Sequence, residues 1–381
     1  MTAAAFNQAT PARAAGLTAV PRDRAFALLA ALALFLTGAL LAGDGAWSSL
    51  GLLAVSAVLG AIFLAVEFGY TSSYRAWLGR GDGSGIVAGL LVAAVAALFI
   101  IPVGSLVDGY GGWVWPIGLP VIGGAALFGL GMQLANGCGS GCLYKAGGGS
   151  PSLLIALPFF CLGGLLGSLI LPAALALPAI PAIGFSDLLG TWAGLAANLA
   201  IIAALALFLL RRGPRPTWEK LREAVAIGVL AGVAFLLSGQ PWGITMGLTI
   251  WGAKAATALG VDLSQTVFWS WDGPRAALHG SLLADDSSLM NIGMLLGAAL
   301  LAAWRGSLRS QQWPGLRVAT AATIGGVLMG VGARLSFGCN IGALVGGIAS
   351  GSLHGFAWFL AAIPGSLLGM KLRPWFGLAR V

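Results

Sequence analysis

The sequence predicts an all-α polytopic membrane protein, and three observations support this fold class. Of the 381 residues, 58% are hydrophobic and only 8% are charged, whereas a soluble domain carries about 25% charged residues. Apolar runs long enough to cross a bilayer recur along the chain. Glycine occurs 60 times, more than twice its usual share of about 7%, which favours closely packed helices in lipid. These features exclude a water-soluble globular domain, a disordered chain and a collagen-like repeat.

About ten apolar runs have the length of a membrane-spanning helix. Four shorter runs of about 10–16 residues follow the second, fourth, seventh and ninth spans, and this length suits re-entrant half-helices. The predicted spans are 26–43, 50–68, 85–104, 116–136, 151–176, 191–210, 223–238, 288–304, 318–336 and 354–371. The four short segments are 70–80, 138–149, 243–258 and 339–350.

Basic residues orient these spans. The formal net charge is +8, and the basic side chains lie in loops between apolar runs, as the positive-inside rule requires of a membrane protein, so no nucleic-acid partner is expected. Ten spans place the tail 1–25, the basic loop 211–222 and the C-terminal end on one side, which we predict to be cytoplasmic. A first half (26–210) and a second half (223–381) complete the chain. The orienting residues are Arg13, Arg22, Arg24, Arg211, Arg212, Arg215, Lys220, Arg222, Arg305, Arg309, Arg317, Lys371, Arg373 and Arg380.

Two similar segments indicate an internal repeat. GLGMQLANGCGSGCL (129–143) and GVGARLSFGCNIGAL (330–344) share seven residues at a constant offset of 201. Cysteine is rare in this chain, so the shared Gly-Cys pair carries more weight than the shared glycines. A weaker match relates FGYT (68–71) to WGIT (242–245).

These matches predict that the segment 50–176 recurs as 223–371. Counting spans along the chain, the second span and its partner, the seventh, cross the membrane in opposite directions, so the repeat is inverted. Inverted repeats with interrupted helices are typical of membrane transporters whose binding site lies near the midplane of the bilayer.

Each repeat contains a Gly-Cys turn between a long span and a short helix: Gly137-Cys138 and Gly338-Cys339. Glycine permits the sharp turn, and the free N–H groups at a helix start favour an anion. A cysteine thiol adds a weak donor and a soft contact, which favours a sulfur-containing anion. In the alternative interpretation, both thiols are small residues packed at helix crossings. The candidate pathway residues at these turns are Asn136, Gly137, Cys138, Gly141, Gly338, Cys339, Asn340 and Gly342.

Charged and aromatic residues near the turns extend this candidate pathway. Lys145, Arg334 and Arg75 lie within or beside apolar segments, where a charge either serves function or reaches back to the headgroups. Trp242 lies in the WGIT turn, where it would line a pore. Further candidates are Cys142, Tyr70, Thr71 and Thr245.

Cys142 follows Cys138 by one helical turn, so the two thiols can share a helix face. This spacing is compatible with a redox pair or with half of a metal site. No histidine or carboxylate lies nearby to complete a metal shell. We therefore predict neither a metal nor a cofactor.

LANGCGSGCLYKAGGGS (134–150) and LSFGCNIGALVGGIASGSLHG (335–355) resemble the two signature segments of the YeeE/YedE family of bacterial inner-membrane sulfur transporters. The resemblance implies an hourglass-shaped protein whose re-entrant segments meet at the waist. It also implies thiosulfate uptake in which Cys138 and Cys339 pass the anion along. Family importers have a further functional cysteine in the first turn, where this chain has Gly69-Tyr70-Thr71.

The leading hypothesis is therefore inner-membrane uptake of thiosulfate or a related sulfur-containing anion by a protein that is not an enzyme. One alternative is a selenium-compound transporter of the same family. Another is a membrane thiol oxidoreductase or sulfurtransferase that uses Cys138 and Cys142. The resemblance also implies a bacterial inner-membrane location and a cytoplasmic TusA-like sulfur carrier as partner, in addition to the lipid bilayer.

Overall fold

The computed structural model describes residues 23–211, 213–308 and 312–381. Ten helices in this part of the chain are long and apolar enough to cross a membrane, which confirms the predicted fold class. Most of the predicted tail lies outside the described residues, as do two loop positions used for orientation. The tail positions are Arg13 and Arg22, and the loop positions are Arg212 and Arg309.

The first half contains nine helices and two very short strands. The helices are α1 (Arg24–Gly43), α2 (Trp47–Val66), α3 (Tyr70–Arg80), α4 (Ser84–Leu106), α5 (Leu119–Ala135), α6 (Gly139–Gly147), α7 (Pro151–Ala174), α8 (Phe185–Leu189) and α9 (Thr191–Leu210). The strands are β1 (Ile117–Gly118) and β2 (Ala179–Ile180), which pair in antiparallel fashion.

The described residues of the second half form eight α-helices and three tighter or wider helical turns. The α-helices are α10 (Trp218–Ser238), α11 (Thr245–Ala258), α12 (Val267–Ser270), α13 (Asp272–His279), α14 (Asp286–Arg305), α15 (Leu316–Leu335), α16 (Gly347–Ala349) and α17 (Leu353–Leu372). The other turns are 3-10 segments at Leu282–Ala284 and Arg373–Phe376 and a π-helix at Asn340–Gly346.

Two local differences from the predicted elements have physical causes. The predicted span 116–136 starts three residues late, because Ile117 and Gly118 pair with β2 in extended form and Pro120 then begins the helix. The predicted short helix 339–350 is wider at its start, where the amide of Leu344 bonds to the carbonyl of Cys339 five residues earlier.

The crossing of α5 and α15 lies at the centre of the fold. A Cβ atom on Gly124 would lie 2.7 Å from the Gly332 carbonyl oxygen, and one on Gly131 would lie 2.7 Å from the Gly325 carbonyl oxygen. The helices therefore run antiparallel with backbones in direct contact. At the offset of 201, Gly124 corresponds to Gly325 and Gly131 to Gly332, so exchanging the halves reproduces the same crossing.

The remaining long helices repeat this relation. Helix α7 packs on α15 as α17 packs on α5, and α2 packs on α14 as α10 packs on α4. Equivalent helices α5 and α15 point in opposite directions, as an inverted repeat requires. The re-entrant course of the short helices through a bilayer and the hourglass outline stay predictions.

Candidate functional site

The two Gly-Cys turns share one backbone conformation. Asn136 and Phe337, which precede the glycines at equivalent positions, both have left-handed φ angles of 60° and 59°. Asparagine tolerates this conformation, whereas a bulky aromatic residue rarely adopts it. The Phe337 ring stacks on Trp115 with centroids 4.8 Å apart and planes 11° apart. The turn in the second half is thus held by an aromatic contact as well as by Gly338, whose φ is 155°.

The two cysteines lie at the interface between the halves. Cys138 is 1% exposed and Cys339 is fully buried, and both are free thiols. A Cβ atom on Gly139 would lie 2.8 Å from the sulfur of Cys339, so the turns touch each other. The predicted meeting of the two Gly-Cys turns is therefore what the chain forms.

Each cysteine occupies the N-cap of its short helix. The Cys138 carbonyl accepts from the Cys142 amide at 2.8 Å, and the Cys339 carbonyl accepts from the Ala343 amide at 2.8 Å. The first N–H groups of both short helices therefore start beside a thiol. The Cys138 sulfur also lies 3.4 Å from the Ser140 hydroxyl.

Asn340 is a buried amide without a partner. Its side chain is 0% exposed, and neither the amide nitrogen nor the amide oxygen bonds to any other described group. Burying such a group without compensation costs free energy. Asn340 follows Cys339 directly in the chain, so the second Gly-Cys turn carries an unused donor and an unused acceptor.

A first cavity, which we call the aromatic vestibule, opens at one end of α5 and α15. It has a volume of about 220 Å³ and is lined chiefly by Trp113, Trp115, Trp242, Arg334 and Phe337. The indole N–H of Trp242 and the Nε–H of Arg334 have no partner among the described groups. Both are donors, so the cavity offers unsatisfied hydrogen bonds to an anion. Its other lining residues are Ser238, Gln240, Pro241, Gly243, Thr245, Met246, Asp285, Asp286, Ser287 and Met290.

Arg334 is held in place by soft groups rather than by a carboxylate. Its Nη1 atom lies 2.9 Å from the Met246 sulfur, and its guanidinium carbon lies 5.5 Å from the Phe268 ring centroid. A thioether is a weak acceptor, and a ring face neutralises little charge. The positive charge of Arg334 thus stays largely available inside the aromatic vestibule.

A second cavity, which we call the basic vestibule, lies at the opposite end of α5. Its volume is only about 20 Å³, roughly that of one water molecule. The Thr71 and Tyr144 hydroxyls face it, and neither has a partner among the described groups. Its lining residues are Gly69, Thr71, Ser72, Arg75, Asn136, Gly137, Cys138, Gly141, Tyr144 and Lys145.

Two arginines meet at the edge of the basic vestibule. Arg75 Nη2 donates to the Asn136 amide oxygen at 3.0 Å, and Arg373 Nη1 donates to the same oxygen at 3.3 Å. Arg373 also donates to the Gln133 carbonyl at 2.6 Å and is 3% exposed. Within residues 23–211, 213–308 and 312–381, no ion pair involves either arginine.

The two vestibules are related by the internal repeat. Gly69, Thr71 and Asn136 line the basic vestibule, and their equivalents Gly243, Thr245 and Phe337 line the aromatic vestibule. The same backbone frame therefore carries different chemistry at its two ends. One end is cationic, and the other combines tryptophans with a single arginine and two aspartates.

The structure places most predicted candidates at three locations, which are the two vestibules and the contact between the Gly-Cys turns. Gly338, Cys339 and Asn340 are fully buried between the halves, and Gly342 packs beneath the Trp113 ring. Two further candidates lie neither in a vestibule nor in a Gly-Cys turn. Tyr70 is 1% exposed, with its hydroxyl 3.3 Å from the Gly89 carbonyl, and Cys142 is fully buried in the core.

Sequence reasoning missed several residues of the site. Arg373 was assigned only a topological role, because nothing in its local sequence relates it to Asn136. Tyr144 lies within the signature segment 134–150, and this position could have identified it as a site residue. Phe337, Trp113 and Trp115 were likewise not selected as site residues.

Among the described residues, no group of three or more histidine, cysteine, aspartate or glutamate side chains has metal-binding geometry.

Fold and site together define a multi-pass α-helical membrane protein whose inverted halves meet at paired Gly-Cys turns. Residues 65–368 match the sequence model of a family described as sulphur transport. The chain belongs to this family, which confirms the resemblance of the two cysteine segments.

Curated relatives of two names are similar to this chain. "Probable transporter YedE" of Escherichia coli (strain K12) is 31% identical over 161 residues, which cover 42% of this chain and 37% of the relative. "Thiosulfate transporter TsuA" of Spirochaeta thermophila is 28% identical over 250 residues, 60% of this chain and 69% of the relative. The Escherichia coli (strain K12) protein of the same name is 26% identical over 279 residues, which cover 68% of this chain and 74% of the relative. The aligned part spans well under half the length of YedE.

Proposed function

We propose that this protein imports a sulfur-containing anion, with thiosulfate as the leading candidate, across the inner membrane of a bacterium. The paired thiols at the interface of the inverted halves are the observation that carries the proposal. Membership in the sulphur-transport family and similarity to two proteins named thiosulfate transporter support the choice of substrate.

The anion first enters the aromatic vestibule. Arg334 attracts it, and the free indole N–H of Trp242 donates to one of its atoms. Thr245, at the start of α11, offers a hydroxyl within the same cavity. These donors replace part of the water that a dianion loses on entry.

The two thiols then form the narrow part of the path. Cys339 and Cys138 each present an S–H group beside the N-terminus of a short helix, and Asn340 adds an unused amide donor. The thiols are weak donors but polarizable, so they suit the terminal sulfur of thiosulfate better than a hard oxygen. The helix N-termini stabilise the negative charge without trapping it in a strong ion pair.

The basic vestibule is the exit in this proposal. In this proposal the basic vestibule, with Lys145, Arg75 and Arg373 around it, lies on the cytoplasmic side, which the positive-inside rule supports. Both chain termini then lie in the cytoplasm. A cytoplasmic TusA-like sulfur carrier would collect the anion there.

Uptake of labelled thiosulfate into proteoliposomes tests the role of the thiols. We expect Cys138→Ala and Cys339→Ala each to lower the initial rate at least tenfold, because each removes the sulfur contact at the narrow point. Cys161→Ala is the matched control, since Cys161 is also a free buried thiol but lies within the long helix α7 and not in a Gly-Cys turn. It should retain the wild-type rate within about twofold.

Competition by unlabelled anions identifies the substrate class. Thiosulfate should displace the label, whereas sulfate, which lacks a terminal sulfur, should not compete. Selenium-containing anions that compete better than thiosulfate would indicate a selenium-compound transporter. Unchanged uptake in the Cys138→Ala, Cys339→Ala double variant would contradict the role of the thiols.

A further inference from the structure

Three segments far apart in the chain meet at the edge of the basic vestibule. Arg75 comes from α3, Asn136 from the turn after α5, and Arg373 from the end of α17. The Asn136 amide oxygen accepts one hydrogen bond from each guanidinium. Because both neighbours are donors, the amide oxygen and not the amide nitrogen faces them. This single side chain links the ends of three elements through hydrogen bonds.

The electrostatics of this cluster are incomplete. Two guanidinium groups share the Asn136 oxygen, and the further acceptors of Arg373, the carbonyls of Gln133 and Ala379, are neutral as well. No ion pair within residues 23–211, 213–308 and 312–381 neutralises either guanidinium. Arg373 is 3% exposed, so water compensates its charge poorly. An anion carrying two charges satisfies such a pair better than an amide does, because it adds Coulomb attraction to both guanidiniums to the hydrogen bonds that it accepts.

The cavity beneath the cluster is narrow and is lined by unsatisfied donors. Its volume of about 20 Å³ compares with about 220 Å³ on the opposite side. The Thr71 hydroxyl (4% exposed) and the Tyr144 hydroxyl (0% exposed) face it without a partner among the described groups. An anion that reaches this cavity therefore meets the Thr71 and Tyr144 hydroxyls directly beneath the cluster, next to Cys138.

We propose that Arg75, Asn136 and Arg373 form a latch that closes the basic vestibule and that the transported dianion opens. The anion replaces the Asn136 amide oxygen between the two guanidiniums, which frees the turn before Cys138 to move. Both arginines then hold the anion at the exit. This inference rests on the proposed function and assigns the cluster two roles, as a gate and as the exit-side binding site.

Variants at Asn136 can change the side chain without changing the backbone conformation. Asn136→Gly removes the amide but keeps the left-handed conformation, because glycine adopts φ near 60° without strain. Asn136→Asp keeps the size and supplies a permanent carboxylate between the two arginines. Arg75→Gln and Arg373→Gln each remove one cation, and Arg80→Gln is the matched control, an exposed arginine at the end of the same helix α3.

Site-resolved alkylation of Cys138 by iodoacetamide, read by peptide mass spectrometry, measures whether the latch is closed. We expect Cys138 to react about tenfold faster in Asn136→Gly and more slowly than wild type in Asn136→Asp. Arg80→Gln should react at the wild-type rate. Equal alkylation rates in all these proteins would overturn the gating role.

Thiosulfate efflux and exchange from proteoliposomes, with the anion presented to the basic-vestibule side, measure the binding role. Arg75→Gln and Arg373→Gln should each raise the half-saturating concentration on that side about tenfold and leave the opposite side within about twofold. A variant that shifts both sides equally, or neither, would overturn the binding role. If wild-type protein moves no thiosulfate, the proposed function and the exit-side binding role both fail, whereas the alkylation pattern still decides the gate.

Discussion

Individual residues in the two vestibules have consequences that can be tested one side chain at a time. Gly69 has a φ of −162°, which is extended backbone open to any residue. A Cβ atom there would meet the Tyr144 hydroxyl at 3.6 Å and the Ser72 hydroxyl at 3.8 Å, both ordinary contact distances. The basic vestibule thus has room for a side chain at Gly69, in the turn where the family resemblance implies a further cysteine.

We therefore predict that Gly69→Cys folds normally and improves thiosulfate transport. Its thermal unfolding should match wild type, since no backbone strain or overlap arises. Its half-saturating thiosulfate concentration should fall severalfold, because a third thiol joins Cys138 beside the unpartnered Tyr144 hydroxyl. Gly69→Ala is the control for added bulk alone, and an equal effect of both substitutions would count against a role for the thiol.

Cys142 separates the transport proposal from a redox enzyme. It is fully buried and lines neither vestibule, and all four cysteines are free thiols. We predict that Cys142→Ala lowers stability by about 1 kcal/mol through a small cavity and leaves uptake within about twofold of wild type. Uptake and thermal unfolding of the same preparation provide the measurement. A loss as large as that of Cys138→Ala would favour the dithiol mechanism instead.

At the scale of helices, the crossing of α5 and α15 depends on absent side chains. A Cβ atom on Gly131 would lie 2.7 Å from the Gly325 carbonyl oxygen and 2.8 Å from the Met329 amide nitrogen, and neither backbone atom can rotate away. On the same helix, a Cβ atom on Gly123 would meet nothing within 4 Å. The two glycines differ only in which helix face they occupy.

This contrast predicts a large difference between two alanine substitutions. Gly131→Ala should destabilise the protein by about 1–3 kcal/mol, because it separates two helices that pack through backbone contacts. Gly123→Ala should leave stability unchanged or raise it slightly, since alanine favours the helix more than glycine does. Fluorescence-detected size exclusion after heating compares both with wild type. Equal melting curves would mean that the crossing tolerates wider spacing than its geometry indicates.

How much of each element could be predicted follows from the range of the forces involved. The ten long helices and the two Gly-Cys turns were predictable, because apolar length and a repeated motif are properties of the local sequence. The left-handed conformation of Phe337 was not, since only its stack on Trp115 makes it tolerable. The π-helix after Cys339 also escaped prediction, because glycines there are equally compatible with an ordinary helical turn.

For the whole molecule, the sequence predicts the pseudo-symmetry of the two halves but not the places where the halves differ. The offset of 201 relates Asn136 to Phe337, yet nothing in the sequence shows that Arg75 and Arg373 converge on Asn136. That convergence is a tertiary contact between segments more than 200 residues apart. The candidate site was thus predictable at its thiols and only partly predictable at its two openings.

The different chemistry of the two vestibules constrains the kinetics of the protein. For a carrier that uses no other energy source and works at zero membrane potential, the ratio Vmax/KM must be equal in both directions, because net flux of the anion vanishes when its concentrations match. Tighter binding of the anion by Arg75 and Arg373 on one side of the membrane is then accompanied by slower transport from that side. The divergence of Asn136 from Phe337 cannot make such a carrier one-way. It sets instead the concentration range over which the protein responds on each side of the membrane.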